Sequence, residues 1–267
     1  MAPLPPLDLN SLLNGITQVR RQAGSLFLTN YFGNLHSTEP FPAVMTEEAV
    51  LFLDADRDFH HLLFAADSPK SLNLVLQNCP PGIYTADYLT KSFDPKWEEP
   101  FLRNGFNRRA VYRRIASAFP KIPSVKTEPK FAQEEEAEFL YRRLPEVFDR
   151  TLHHLPSLSQ TLEMIQDRRV LVNRRENGEI AGFFIYEVQG QRAHLNYWYN
   201  PPEPGPNAGL EILIRGYYEM ARRGVKFVHG WVDETNLKVL RIHRLFGLVP
   251  DGLIHYIYHR NDYAKPL

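Results

Sequence analysis

Between residues 192 and 260 the apolar and polar positions of the chain change period several times. Residues 192–199 (RAHLNYWY) are dense in aromatic and β-forming side chains and predict a strand. Residues 200–209 (NPPEPGPNAG) cannot continue it, because proline removes a ladder donor and glycine relaxes the backbone. Leu210, Leu213, Ile214, Tyr217, Met220 and Ala221 then recur at helical spacing and predict a helix over 210–223. Residues 225–232 (VKFVHGWV) read as a buried strand, 236–248 contain a short helix, and 253–259 read as a final strand.

The same alternation runs through the rest of the chain. Helices are predicted over 9–23, 68–77, 95–104, 133–148 and 155–166. Ser68-Pro69 supplies a cap and a first helical position, and the run Glu134–Glu136 suits a solvated helix start. Strands are predicted over 25–32, 82–89 and 109–117. Residues 43–54 and 59–65 predict a hairpin around the polar turn 55–58, and 167–175 with 180–188 a second one around Asn177-Gly178, a strong two-residue turn signal.

Two stretches share one pattern. Asp94, Trp97, Phe101, Gly105 and Phe106 have the spacing of Asn236, Val239, His243, Gly247 and Leu248, and a strand is predicted before and after each. Glycine beside an apolar residue is common at helix ends, so chance is the bland alternative. Order and spacing together indicate an internal duplication of one α/β unit, with domains at 1–122 and 123–267 and a Pro- and Lys-rich linker at 119–130.

Composition narrows the class. With 43% hydrophobic and 23% charged residues, the chain suits a soluble globular protein. Lys+Arg and Asp+Glu are both 31, so no basic excess points to nucleic acid as a partner. A single cysteine, Cys79, cannot form an internal disulfide and is read as a structural thiol, which fits a reducing compartment. Residues 1–10 lack a basic region and a long apolar core, and no apolar run approaches about 18 residues, so neither a signal peptide nor a membrane span is expected and the expected location is cytoplasmic. His153-His154 has no third ligand at metal spacing, so no metal is expected.

A strand, a glycine-bearing loop and a helix N-terminus combine into a candidate anion site, since unpaired N–H groups and the helix dipole face the loop. Most such loops bind nothing. The segment that follows changes its meaning. The loop pattern V-x-P-x-x-[RQ]-G-x-G-x-[GA] is met by Tyr199, Pro201, Pro204, Gly205, Asn207 and Gly209, with Pro204 in the Arg/Gln position and Asn207 for the middle glycine. The pattern N-x-x-A-x-x-x-Y-x-x-x-G-[FL] is met by Asn236, Val239, His243, Gly247 and Leu248, with His243 in the tyrosine position. On these residues the chain resembles the GNAT superfamily of acyl-CoA-dependent N-acyltransferases.

The resemblance implies an α/β (α+β) fold of two tandem GNAT-like units, each a mixed, mostly antiparallel central sheet flanked by helices. The first unit is expected to be degenerate, because the connection Ala66-Asp67 is too short to wrap a pyrophosphate and Asp67 would repel one. The second is expected to hold an acyl-CoA, acetyl-CoA first, between the strands 192–199 and 225–232. The implied binding residues are Gly205, Asn207, Ala208 and Gly209 in the loop, with Tyr199, Leu210 and Asn236 beside it. The implied partner is a small-molecule amine or amino acid that attacks the thioester directly, without a covalent enzyme intermediate; proximity supplies much of the rate.

Helices at 133–148 and 155–166 occupy the place that lines the acceptor site in the family. His243 is the candidate acid for the departing thiolate, and His194, Asp233 or Glu234 the candidate base. Each has a plainer reading: Asn236 as a helix cap, His243 as a packed core residue, Tyr197, Trp198, Tyr199 and Trp231 as core or cleft walls. Two other functions compete. A Fem-like transferase using aminoacyl-tRNA would want a basic surface and a long helical arm, and the sequence offers neither. A non-catalytic ligand-binding relative is favoured by Pro204, Pro206 and the missing tyrosine.

Overall fold

In the computed structural model, residues 4–23, 27–28, 39–56, 58–118, 128–201 and 208–263 are described. The chain opens with β1 (Pro6–Leu7) and α1 (Leu9–Gln22), which Asp8 caps by accepting from the Ser11 amide at 2.8 Å. Then come β2 (Phe27–Leu28), β3 (Phe41–Met45), β4 (Ala49–Asp56), β5 (Phe59–Ala66), α2 (Pro69–Leu76), β6 (Ile83–Thr90), α3 (Pro95–Arg103) and β7 (Asn107–Ser117). The second half contains α4 (Ala137–Val147), α5 (Leu158–Gln166), β8 (Val170–Arg174), β9 (Ile180–Gln189) and β10 (Arg192–Tyr199). It ends with α6 (Ala208–Arg222), β11 (Phe227–Asp233), α7 (Leu237–Leu245) and β12 (Val249–Asn261).

The elements follow the hydrophobic pattern closely, with one instructive exception. The strand expected over 43–54 is two strands. Thr46 turns the chain by donating its amide to the Ala49 carbonyl at 2.8 Å and accepting the Ala49 amide on Oγ1 at 3.0 Å. A side-chain-to-backbone turn of this kind outcompetes strand propensity. Of the strand expected over 25–32, only Phe27–Leu28 is among the described residues.

Two compact units are formed, residues 1–111 with 253–267 and residues 112–252. The boundary expected between 122 and 123 lies outside the described residues; the units divide inside β7 and β12 instead. In the first unit the strand order is β1-β3-β4-β5-β6-β12, closed by residues 254–261 of β12 running antiparallel to β6. In the second it is β7-β11-β10-β9-β8, closed by residues 112–117 of β7 running antiparallel to β11. Each unit has one parallel pair, with a helix in its connection: β5 and β6 around α2, β10 and β11 around α6. All other described strand pairs are antiparallel.

The duplicated pattern marks equivalent places in the two units. Asp94 caps α3 and Asn236 caps α7, and Gly105 and Gly247 follow those helices at φ +79° and +84°. That left-handed backbone favours glycine, which is why both copies keep it. Side chains one residue apart on a strand face opposite ways, so each sheet presents two apolar faces. In the first unit α2 and α3 bury Leu72, Val75 and Phe101 on one face, while α1 buries Leu12, Ile16 and Val19 on the other. In the second, α6 packs Ile212, Leu213 and Tyr217 against Phe184, Leu195 and Val228; α4 and α5 pack Leu140, Leu144 and Ile165 against Phe183, Ile185 and Tyr197. Each fully buried side chain of this size contributes about 2 kcal/mol.

The two parallel pairs differ at their ends. β5 pairs with β6 only over His60–Leu62, and beyond that Ala65 and Ala66 pair with Leu28 and Phe27 of β2, which also lies against β6. The fork of the first unit is filled by its own chain.

Candidate active site

β10 and β11 run in parallel register from Arg192 with Phe227 to Leu195 with Gly230, and then part. On its other side β10 pairs Leu195 with Tyr186 and Tyr197 with Ile185, so Asn196 is an extra, bulged residue. The bulge changes the alternation. Ala193 and Leu195 face α6, and after the bulge Trp198 does so, while Tyr197 turns to the face covered by α4 and α5. The fork holds a cavity of about 260 Å³ that lies wholly within the second unit.

Strand parity divides its lining into two sides. The side of α6 and α7 presents Leu195, Trp198, Val232, Val239 and His243. The opposite side presents Tyr112, Phe148, His153, Tyr197, Trp231 and Asp233. Gly230 stands at the fork, where a Cβ would come within 3.0 Å of the Leu195 Cβ, so a side chain there would force the two strands to give.

His243 is the central polar residue on the first side. Its Nδ1 pairs with the Tyr217 hydroxyl at 3.0 Å, which leaves Nε2 as the nitrogen available to a ligand. Trp198 meets its ring edge-on at 5.8 Å between centroids. Burial pushes the His243 pKa down to about 4, so the ring is neutral near pH 7. Burial also raises the Tyr217 phenol, which therefore keeps its proton. Asn236 is a helix cap, its Oδ1 accepting the Val239 amide at 3.2 Å, and the residue also lines the cavity. Two buried atoms in the wall, Asn196 Oδ1 and Trp198 Nε1, have no hydrogen-bond partner among the described residues. Leaving such a group unsatisfied costs about 1–3 kcal/mol, so a ligand that pairs with it recovers that energy.

On the second side, the Tyr112 hydroxyl pairs with His153 Nε2 at 3.3 Å, and the rings of Tyr112 and Phe148 both pack edge-on to His153. The Tyr112 phenol is pushed up to about 12, by burial first and then by the charges of Asp233 and Asp149. Asp233 accepts the Thr235 amide and hydroxyl on Oδ1, at 2.8 and 2.6 Å; its Oδ2 takes part in neither bond.

The remaining candidates lie elsewhere. His194 is not in the cavity wall: it stacks on its register partner His229 at 4.8 Å, and burial pushes both pKa values down to about 4. Glu234 is also outside the wall and pairs with Arg113 at 3.3 Å. Tyr199 lines a separate cleft of about 390 Å³ with Arg142, Arg143 and Pro201, and its hydroxyl accepts from Arg143 at 2.8 Å. Gly205 and Asn207 lie outside the described residues. Ala208 opens α6 and its carbonyl accepts from Asn173 at 2.6 Å. Gly209 packs against Asn200, whose Cβ would lie 3.1 Å from an added Cβ, and Leu210 packs on the α6 core.

Asn196, Phe148, His153 and Tyr112 were not foreseen as site residues. The first needs the bulge to be seen and the others need tertiary contacts; the one visible signal was the His153-His154 pair, weighed only as a metal site. Among the described residues no group of three or more His, Cys, Asp or Glu is placed to hold a metal, and no helix is long and apolar enough to cross a membrane.

No family model matches the chain, and no curated protein matches it. Solved structures do. A GCN5-related N-acetyltransferase from Sphaerobacter thermophilus is 15% identical, with a TM-score of 0.60 over 85% of this chain and 79% of that one. A tandem GNAT protein from the clavulanic acid biosynthesis pathway is 12% identical, with a TM-score of 0.56 over 98% of each chain. A GCN5-related N-acetyltransferase from Kribbella flavida is 10% identical, with a TM-score of 0.55 over 96% of each. At such identities it is the fold that is shared: the chain has the fold of the GNAT N-acetyltransferases, in a tandem arrangement of two units.

Proposed function

We propose that the chain is an acyl-CoA-dependent N-acyltransferase, with acetyl-CoA as the first donor to test and the amine of a small molecule as acceptor. The observation that carries this reading is the fork between β10 and β11, whose cavity is lined by side chains from both faces of the sheet. A donor arm can enter beside α7 and an acceptor beside the segment joining α4 and α5, so the two meet in the fork. The unsatisfied wall atoms suit a pantetheine arm, which carries both amide N–H and C=O groups: Trp198 Nε1 donates to a carbonyl and Asn196 Oδ1 accepts an N–H. Bound acyl-CoA supplies an acyl group activated as a thioester.

The chain's own residues then divide the work. The walls exclude water and hold amine and thioester at attack distance, which is the main source of rate in a direct transfer. The amine nitrogen bonds to the acyl carbon, the C–S bond breaks, and the proton that the nitrogen sheds on becoming an amide goes to the departing thiolate. In this reading Asp233 and His153, both in the cavity wall, take the proton that the incoming ammonium must lose. Because His243 is neutral, it serves the sulfur through its Nε2 as a hydrogen-bond partner rather than as a charged acid.

The same neutrality favours a second reading, a ligand-binding relative that holds CoA without turning it over. Calorimetric titration of CoA and acetyl-CoA into the protein tests the first step. The parent should bind in the micromolar range. Val239→Trp, which fills the cavity beside α7, should abolish binding while the melting temperature is kept. No heat from the parent would sink both readings; binding without thiol release in the presence of amines would select the second.

A further inference from the structure

The acceptor side of the cavity has a definite chemistry. Tyr112, Phe148, Tyr197 and Trp231 give it aromatic walls, His153 stands among them, and Asp233 is the charged residue of the wall. Among the described residues no Lys or Arg lines the cavity. The two arginines nearest in sequence register to its floor, Arg113 and Arg114 on β7, are engaged by Glu234 at 3.3 Å and by Asp251 at 2.6 Å. Asp233 is held in place by the Thr235 bonds to its Oδ1.

We infer that the acceptor is an aromatic or apolar primary amine that carries no carboxylate, with its ammonium at Asp233 and its body between Tyr112, Phe148 and Trp231. This rests on the acyltransfer reading and narrows it. An ammonium gains a charge-assisted bond to Asp233 and the attraction of the surrounding ring faces. An α-amino acid would bring a second charge of the wrong sign into a wall whose described residues include no cation to meet it, at a cost both of desolvation and of repulsion from Asp233. Amino acids and acidic metabolites are thereby disfavoured.

The test uses 2-phenylethylamine and L-phenylalanine, which differ only by the carboxylate. Each is titrated into the full chain already saturated with CoA. The amine should bind at least about tenfold more tightly than the amino acid, the factor expected of one charge-assisted pair. Asp233→Asn retains the oxygen that accepts from Thr235 and so preserves the turn. It should weaken the amine about tenfold and leave CoA affinity unchanged. Equal or tighter binding of phenylalanine, no binding of the amine to CoA-loaded protein, or an amine affinity indifferent to Asp233→Asn would each overturn the assignment. If CoA itself does not bind, the preceding titration shows it separately and the acyltransfer reading falls first.

Discussion

His243 shows how far one position can depart from its motif and still be explained. The sequence puts histidine where the resembled pattern has tyrosine, and the structure buries it against Tyr217 and Trp198. A histidine whose folded pKa is about 4, against about 6.5 unfolded, lets the unfolded chain take up the proton first as pH falls. Its contribution to stability is full above about pH 7, declines between about 6.5 and 4, and is lost below. At pH 5 the loss is on the order of 2 kcal/mol. His194 adds to the same window, and His229, partly buried, adds less. Urea midpoints at pH 7.5 and pH 5 should therefore differ more for the parent than for His243→Gln, which keeps a partner for the Tyr217 hydroxyl; equal differences would refute the buried neutral state. Asn236 makes a complementary test, because cap and cavity wall are separable there. Asn236→Ala should lower stability by about 1 kcal/mol, and Asn236→Ser should restore it. If the amide also meets the donor, Asn236→Ser will still bind CoA more weakly; full recovery of both would reduce the residue to a cap.

At the scale of elements, the fork is what separates the two units. In the second unit β10 leaves β11 after Leu195 and Asn196 bulges, and the space stays open. In the first unit β2 pairs into the corresponding place, and Asp67 accepts from Ser71 at the start of α2 where an anion would otherwise approach. One CoA per chain is therefore expected by calorimetry, and a stoichiometry near two would contradict the filled fork. Much of this was legible. Helical spacing, the Asn177-Gly178 turn and the paired patterns at Asp94 and Asn236 are local signals, and the elements formed where they predicted. The short Ala66-Asp67 connection is the local feature by which the sequence sets the first unit apart from the second. What stayed hidden was non-local: that a two-residue strand would fill one fork, that a bulge would turn Tyr197 and Trp198 to opposite faces, and that Tyr112 would join the site from a strand assigned to the first half. Of the foreseen catalytic candidates, those at the fork, His243 and Asp233, reach the cavity. His194 lies before the fork, where β10 and β11 are still paired and its ring stacks on His229, and Glu234 follows the end of β11 and pairs with Arg113.

At the scale of the whole chain, the boundary between repeats is not a boundary between sheets. Residues 112–117 of β7 close the sheet of the second unit, and residues 254–261 of β12 close that of the first. Tyr256 and Tyr258 go with β12 into the aromatic stack around Tyr88 and Phe101, and Ile115 of β7 into the core around Tyr217. A cut in the linker therefore removes from each unit a strand whose partner stays behind. The fragment 123–267, the natural choice from the sequence repeat, would leave the Phe227–Asp233 edge of β11 unpaired and strip Tyr112 and Ile115 from the cavity; an exposed apolar edge of this kind invites aggregation. It would also carry the apolar half of β12 without β6 to receive it. The fragment 107–252 keeps every described strand of the second unit. The second fragment should therefore melt cooperatively and bind CoA, whereas the first should aggregate or show a broad, non-cooperative transition. Cooperative folding and CoA binding by 123–267 would mean that β7 is dispensable, and the strand supply described here would lose its energetic importance.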